Sequence, residues 1–349
     1  MRMNKRALRS PEELAEADLI EPARIEALGA VAARYAVAIT SHVRGLIGGG
    51  DTNDPIARQF VPNEAELEPA SFETTDPIGD ERHSPIEGIV HRYRDRLLLK
   101  LTRVCAVYCR FCFRRETVGR GESQMLSANA LDAALSYIAA HPEIWEVIMT
   151  GGDPFVLSPR RLGDVTTRLS AIEHVKVLRW HTRVPIVDPG RITARLVRTV
   201  ATRRRAVYVA IHVNHPRELS PEARRACARL IDAGIPLLGQ SVLLRGVNDD
   251  PDTLESLMRA LVETRIKPYY LHHADLAQGT AQFRTTIAEG QTLMRELRAR
   301  ASGLCQPGYV LDIPGGHAKA NLAPSDLDGE PGSYRVRDSK DCWHSYPLQ

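Results

Sequence analysis

Cys105-Ala-Val-Tyr-Cys109-Arg-Phe-Cys112 places three cysteines at C-x3-C-x2-C spacing, shortly after the largely apolar run Arg96-Leu-Leu-Leu-Lys-Leu-Thr102. The run predicts a strand over residues 97–101, so the cysteines sit on the loop that leaves it. Three thiolates this close can converge on one inorganic centre. A [4Fe–4S] cube ordinarily takes four cysteines, so three leave one iron free to bind something else. Two other readings compete. A structural zinc site uses four protein ligands, usually in two separated pairs, and the sequence offers no evident second pair. A chance group of buried thiols has no need of the compact spacing. The iron–sulfur reading is preferred on ligand number and type.

Outward from this loop the pattern repeats as strand, loop, helix. Strands are predicted over residues 97–101, 146–150, 175–180, 206–213, 236–244, 268–271 and 309–313. Helices are predicted over 127–140 and near 158–172, 191–203, 220–233, 251–265 and 286–302, the first capped by Ser127 with Leu131, Leu135 and Ile138 on one face. Short apolar strands alternating with helices give a parallel sheet buried on both faces. Right-handed crossovers curl such a sheet into a barrel or part of one, with functional residues at the C-terminal strand ends. The fold class read here is α/β: a partial (β/α)6-type barrel over 76–322, an N-terminal helical segment and linker over 1–75, and a short tail over 323–349. Within the N-terminal segment, residues 21–47 carry apolar residues at helical spacing, and Gly48-Gly-Gly-Asp-Thr-Asn-Asp-Pro55 ends the pattern.

Composition excludes little else. The 349 residues are 43% hydrophobic and 26% charged, with a net charge of +3, which gives no case for nucleic-acid or membrane binding. Arg203-Arg204-Arg205 reads as a solvated helix end. No apolar run approaches the ~18 residues of a membrane span. The basic stretch Met1 to Arg9 is followed by Pro11-Glu-Glu-Leu-Ala-Glu instead of an apolar signal core. A cytoplasmic location with reduced thiols follows as the expectation, and Cys227, Cys305 and Cys342 are read as free.

Two further stretches carry chemistry. Thr150-Gly-Gly-Asp-Pro154 ends the second barrel strand, and its adjacent glycines permit close backbone approach to a ligand. Gly308-Tyr-Val-Leu-Asp-Ile-Pro-Gly-Gly-His-Ala-Lys319 ends the last strand in an acid, then glycines, then a lysine, which is a plausible Schiff-base nucleophile when desolvated.

The cysteine loop resembles the signature of the radical S-adenosylmethionine (SAM) superfamily. His91-Arg-Tyr-Arg-Asp-Arg96, Thr150-Gly-Gly-Asp-Pro154, His212-Val-Asn-His-Pro216, Gln240-Ser-Val-Leu-Leu-Arg-Gly-Val-Asn-Asp249 and Pro314-Gly-Gly-His-Ala-Lys319 follow in order with it. Together, over roughly residues 36–322, they resemble the lysine 2,3-aminomutase family, including its short bacterial relative that supplies β-lysine for modification of elongation factor P. The resemblance implies a [4Fe–4S] cluster on Cys105, Cys109 and Cys112. It implies SAM bordered by Gly151, Gly152 and Asp153, with Gln240 beside the cofactors. It implies pyridoxal phosphate (PLP) on Lys319, with Arg92, Tyr93 and Arg96 around its phosphate and ring. Arg114 matches the arginine for the substrate carboxylate, and Asp275 and Asp312 match the pair that binds the distal ammonium of L-lysine.

The implied reaction is a 1,2-amino shift. A 5′-deoxyadenosyl radical takes hydrogen from the β carbon, nitrogen migrates, and hydrogen returns so that SAM is regenerated. An electron donor such as flavodoxin or ferredoxin is implied as partner, and a homo-oligomer stays open. The sequence departs from the longer enzymes at three places. His272 stands where they carry a tyrosine, and His317 interrupts their glycine run. Asp250 replaces an intersubunit zinc cysteine whose C-terminal partners are missing, so no zinc is expected and tetrameric assembly is not carried over. The compact size leans toward the short relative, whereas the aspartate pair fits the free-lysine enzymes. The same shift on another amino acid, and a non-catalytic iron–sulfur electron carrier or redox sensor, are the alternatives. Lys319 argues against the carrier, which has no use for a PLP lysine.

Overall fold

The structure, a computed structural model, describes residues 6–48, 53–121, 124–330, 333–338 and 340–347. Its main sheet has nine strands in sequence order: β1 (Ile89–Tyr93), β2 (Arg96–Thr102), β3 (Glu146–Gly151), β4 (Val177–Thr182), β5 (Ala206–His212), β6 (Leu237–Leu243), β7 (Ile266–His273), β8 (Gly308–Asp312) and β9 (Lys319–Asn321). β2 to β8 run parallel, while β1 and β9 pair antiparallel at the two edges. These seven parallel strands are the seven that the apolar runs predict. Core-facing residues such as Leu97, Val147, Leu178, Val209 and Leu237 are all at most 3% exposed, as a sheet covered by helices requires.

The helices Ala128–Ala140, Pro159–Ala171, Ala194–Val200, Pro221–Asp232, Pro251–Glu263 and Ile287–Arg300 carry the crossovers. Each starts on a side-chain cap, from Ser127, Ser158, Thr193, Ser220, Asp250 and Thr286 in turn. Such a cap is worth about 1 kcal/mol. Asp250, which departs from the longer enzymes, accepts from Thr253 N at 2.9 Å. An acid at that position is thus explained by helix capping.

The open sides of the curled sheet face each other and are laced by side chains. The Tyr93 hydroxyl on β1 accepts from Lys319 N on β9 at 3.0 Å, and Arg92 Nη1 reaches Asp312 Oδ1 at 3.4 Å. Beside them, Arg82 and His83 hydrogen-bond the carbonyls of Gly315 and Gly316. A Cβ on Gly79 would lie 2.6 Å from the Gly315 carbonyl carbon, so the two loops meet backbone to backbone.

Two expectations are corrected. Residues 21–47 do not form one helix: Ile25–Arg34 and Ser41–Leu46 are separated by extended backbone from Tyr35 to Thr40. Tertiary bonds override the helical spacing there. Ile39 pairs with Leu8, the Ala38 carbonyl accepts from Tyr108 N at 3.2 Å, and the Ala36 carbonyl accepts from Arg110 at 2.9 Å. Arg203-Arg204-Arg205 lies in a bend past the helix that ends at Val200. The tail forms a three-stranded antiparallel sheet of its own, β10 (Leu327–Glu330), β11 (Ser333–Arg337) and β12 (Trp343–Tyr346), tied through Asp326 to Arg298 on an outer helix. Of the predicted helix break at 48–55, residues 49–52 lie outside the described residues. The N-terminal residues Leu14, Leu28, Tyr35 and Phe60 belong to the same hydrophobic core as the strands.

Candidate active site

One cavity of about 600 Å³ runs along the inner face of the sheet. Cys105, Cys109, Cys112, Gly151, Gly152, Asp153, Arg92, Tyr93, Arg96, Gln240, Arg114, Asp275, Asp312 and Lys319 all line it. The cysteines follow the C-terminal end of β2, whereas Arg96 opens the same strand, about 20 Å away at ~3.3 Å per residue. The rule of C-terminal strand ends therefore misses the β1–β2 hairpin, which brings Arg92, Tyr93 and Arg96 in from the other side.

The cysteine loop is braced by buried charge. Glu66 is fully buried and takes both Arg110, which lies between Cys109 and Cys112, and Arg115 just beyond them. Arg183, at the end of β4 and 6% exposed, donates to Cys109 Sγ at 2.9 Å. Its other end is held by Gln59 and Glu218, each at 2.6 Å. Burial pushes the Cys105 thiol well above its ordinary value and the Cys112 thiol up to about 11. Thiols so desolvated give up their protons to a metal centre, whose positive charge reverses that penalty. Among the described residues no three His, Cys, Asp or Glu side chains close on one ion. Three free thiols from one loop lining the same cavity are the donor set that a cluster with one open iron takes.

The glycines of β3 serve the chain's own backbone first. Gly151 has φ +115°, and a Cβ there would lie 2.4 Å from the Thr102 carbonyl oxygen; a Cβ on Gly152 would lie 2.4 Å from that of Val104. They let the strand end slide under the residues that lead into Cys105. The Asp153 carboxylate accepts from Thr182 Oγ1 at 2.7 Å, Arg183 N at 2.6 Å and Phe155 N at 3.0 Å. Its oxygens are spent on the β4 end and on its own turn, and its N–H on the Val104 carbonyl at 2.8 Å.

Between the hairpin and β8 the charges are paired. Asp80 receives Arg114 Nε at 2.8 Å and lies 3.5 Å from Arg92. Burial raises its carboxyl, but the Arg114, Lys100 and Arg92 charges outweigh burial and leave it below the usual range. Asp312 is 7% exposed and pairs with the Lys319 ammonium through Oδ2, while His272 Nδ1 lies 3.6 Å from the same oxygen. His272 and Lys319 outweigh burial and hold Asp312 well below its ordinary value. Asp275 goes the other way: burial, then the Asp312 charge, push it up to about 7. His181 and His212 also line the cavity, and burial holds both neutral.

Sequence reasoning missed Asp80, Glu66, His181 and Arg183. Only His181 and Arg183 carried a signal, since they stand at the end of a predicted strand. Unspent polar atoms remain in the cavity wall: Arg92 Nε and His181 Nε2 are buried without a hydrogen-bond partner among the described residues. A guanidinium with an unspent donor, next to a lysine amine, suits a phosphate-bearing aldehyde.

The model of the radical SAM superfamily matches residues 99–257. The L-lysine 2,3-aminomutase of Acetoanaerobium sticklandii is 41% identical over 289 residues, covering 83% of this chain and 69% of that protein. The L-lysine 2,3-aminomutase of Escherichia coli is 41% identical over 273 residues, covering 78% and 79%. The glutamate 2,3-aminomutase of Clostridioides difficile is 35% identical over 304 residues, covering 87% and 71%.

Proposed function

This chain belongs to the lysine 2,3-aminomutase family of radical SAM enzymes, and from that premise we propose that it converts L-lysine to β-lysine by moving the α-amino group to the β carbon. What supports this reading most is a single observation: the three cluster cysteines, Lys319 and the acid pair Asp275 and Asp312 share one cavity. When bound, the cluster with SAM supplies the radical that takes and returns hydrogen, and PLP supplies the carbon to which the migrating nitrogen is held.

The chain's own work is positioning. In this reading Cys105, Cys109 and Cys112 hold the cluster, and the backbone of Gly151, Gly152 and Asp153 borders SAM with Gln240 nearby. Lys319 is the covalent anchor for PLP, and Arg92, Tyr93 and Arg96 receive its phosphate and ring. Arg114 takes the substrate carboxylate, exchanging Asp80 for it. Asp275 and Asp312 take the distal ammonium, because a buried cation needs anionic partners. A glutamate side chain would set its carboxylate against both acids, which disfavours the activity carried by the Clostridioides difficile relative's name. Residues 76–322 carry the reaction, Gln59 and Glu66 of the N-terminal segment brace the cluster loop, and no described residue of 323–349 lines the cavity.

No helix of the described residues is long and apolar enough to cross a membrane. A cytoplasmic enzyme drawing electrons from a flavodoxin or ferredoxin is the matching setting. The test is an anaerobic incubation of reconstituted enzyme with dithionite, SAM, PLP and a panel of amino acids. β-Lysine formed from L-lysine alone is the expected result. Turnover of another amino acid in preference to L-lysine overturns the substrate, and no turnover of any overturns the reaction.

A further inference from the structure

Asp312 and Lys319 are register partners across the antiparallel β8–β9 pair, and their side chains close an ion pair. A lysine side chain is a primary ammonium on a four-carbon stem, which is also the distal half of free L-lysine. A carboxylate placed to hold the one is chemically fit to hold the other. We propose that in the cofactor-free chain Lys319 fills, with its own ammonium, the site at Asp312 meant for a substrate's distal ammonium, so that the site opens only after an aldehyde cofactor has captured Lys319. The inference rests on the reading above and adds an order of binding to it.

Occupancy of the carboxylate supports exclusion. Oδ2 of Asp312 carries Lys319, Oδ1 faces Arg92 at 3.4 Å, and the residue is 7% exposed. A second ammonium therefore has to displace a cation already present. Asp275, the other acid of the pair, makes no ion pair with a described residue, and burial, with the Asp312 charge added to it, raises its carboxyl. While Lys319 sits on Asp312, the two acids hold one local ammonium; once Lys319 leaves, they hold none, and a second ammonium is favoured.

The capture balances simply. The Lys319 ammonium gives one proton to solvent, its nitrogen bonds to the aldehyde carbon, and the carbonyl oxygen leaves as water. No oxidant or reductant is involved. The nitrogen that emerges is no longer a three-donor ammonium, and Asp312 loses that partner. An arginine drawn toward the cofactor's phosphate would free Oδ1 as well.

Isothermal titration calorimetry on the cofactor-free full chain tests this, with L-lysine and n-butylammonium as probes. Lys319→Ala is expected to bind both at least tenfold more tightly than wild type, about 1.4 kcal/mol. Lys319→Met, which drops the charge but keeps a stem in the space of a four-carbon ammonium, is expected to gain less than Lys319→Ala for both probes. Adding Asp312→Asn to Lys319→Ala should erase the gain. Equal affinity of wild type and Lys319→Ala overturns the proposal, and so does no binding to either or a gain that survives Asp312→Asn. The two readings fail separately. Turnover of L-lysine by the loaded wild type without the Lys319→Ala gain sinks only the order of binding. The gain without turnover of L-lysine sinks only the proposed reaction.

Discussion

Arg183 donates to Cys109 Sγ at 2.9 Å while Glu218 and Gln59 clamp its other nitrogen. A buried cation hydrogen-bonded to a cluster thiolate favours the more negative, reduced cluster. Arg183→Lys keeps a charge for Glu218 but cannot reach both ends. The fraction of cluster reduced at a fixed donor potential is predicted to fall up to tenfold, about 59 mV for a one-electron couple. A potentiometric titration followed by electron paramagnetic resonance reads it. A wild-type midpoint with full iron content would remove Arg183 from any electronic role.

Gly151 and Gly152 have no room for a methyl group, since Thr102 and Val104 carbonyls stand 2.4 Å from the two Cβ positions. Gly151 adds a φ of +115°, strain of about 1–3 kcal/mol for any other residue. Gly151→Ala and Gly152→Ala are predicted to push the residues leading into Cys105 outward and to lose most of the iron taken up on reconstitution. Gly163→Ala is the control, because its Cβ meets only Thr199 at 3.6 Å. Iron and sulfide assays on all three separate a loop effect from general damage.

The barrel strands and the site residues were legible in the sequence to different degrees, for physical reasons. Near-continuous apolar runs such as Leu97-Leu-Leu and Val207-Tyr-Val-Ala-Ile mark strands buried on both faces wherever they occur. Cys105, Cys109 and Cys112 need only local spacing to be noticed. Asp80, by contrast, matters because Arg92 and Arg114 arrive from two other elements. The extended backbone from Tyr35 to Thr40 exists because Leu8, Tyr108 and Arg110 compete successfully with helical hydrogen bonds. Features made by partners distant in sequence leave no periodicity to read.

Glu66 carries both Arg110 and Arg115 with no exposure to water. Removing the charge leaves two guanidiniums facing each other in the interior. Glu66→Gln is predicted to cost about 3–5 kcal/mol, the range for breaking a buried pair from one side. Because Arg110 lies inside the cysteine loop, the variant should also release iron faster to a chelator than wild type. Denaturant unfolding measures the first effect and chelation kinetics the second. An unchanged chelation rate at reduced stability would separate the brace from the cluster loop.

Asp275 gives the proposed cation site a pH dependence whose sign follows from its environment. Burial and the Asp312 charge raise its carboxyl to about 7, so it is neutral below that pH and anionic above it. The L-lysine ammonium stays charged throughout, with an ordinary value near 10.4. Only the acid therefore titrates in this window. Capture of Lys319 removes a charge that lowers Asp275, so in the loaded enzyme the inflection is predicted at or above pH 7; the KM for L-lysine is lowest above it and rises as pH falls, approaching about tenfold per unit where the neutral acid dominates. His181, His212 and His272 are all held below their ordinary value by burial, so they cannot produce an inflection at 7. Asp312→Asn tests the cause as well as the sign. It removes the like charge that adds to burial, so the inflection should move to lower pH while the KM above it worsens. An inflection that does not move in Asp312→Asn would mean that the two acids do not share one cation.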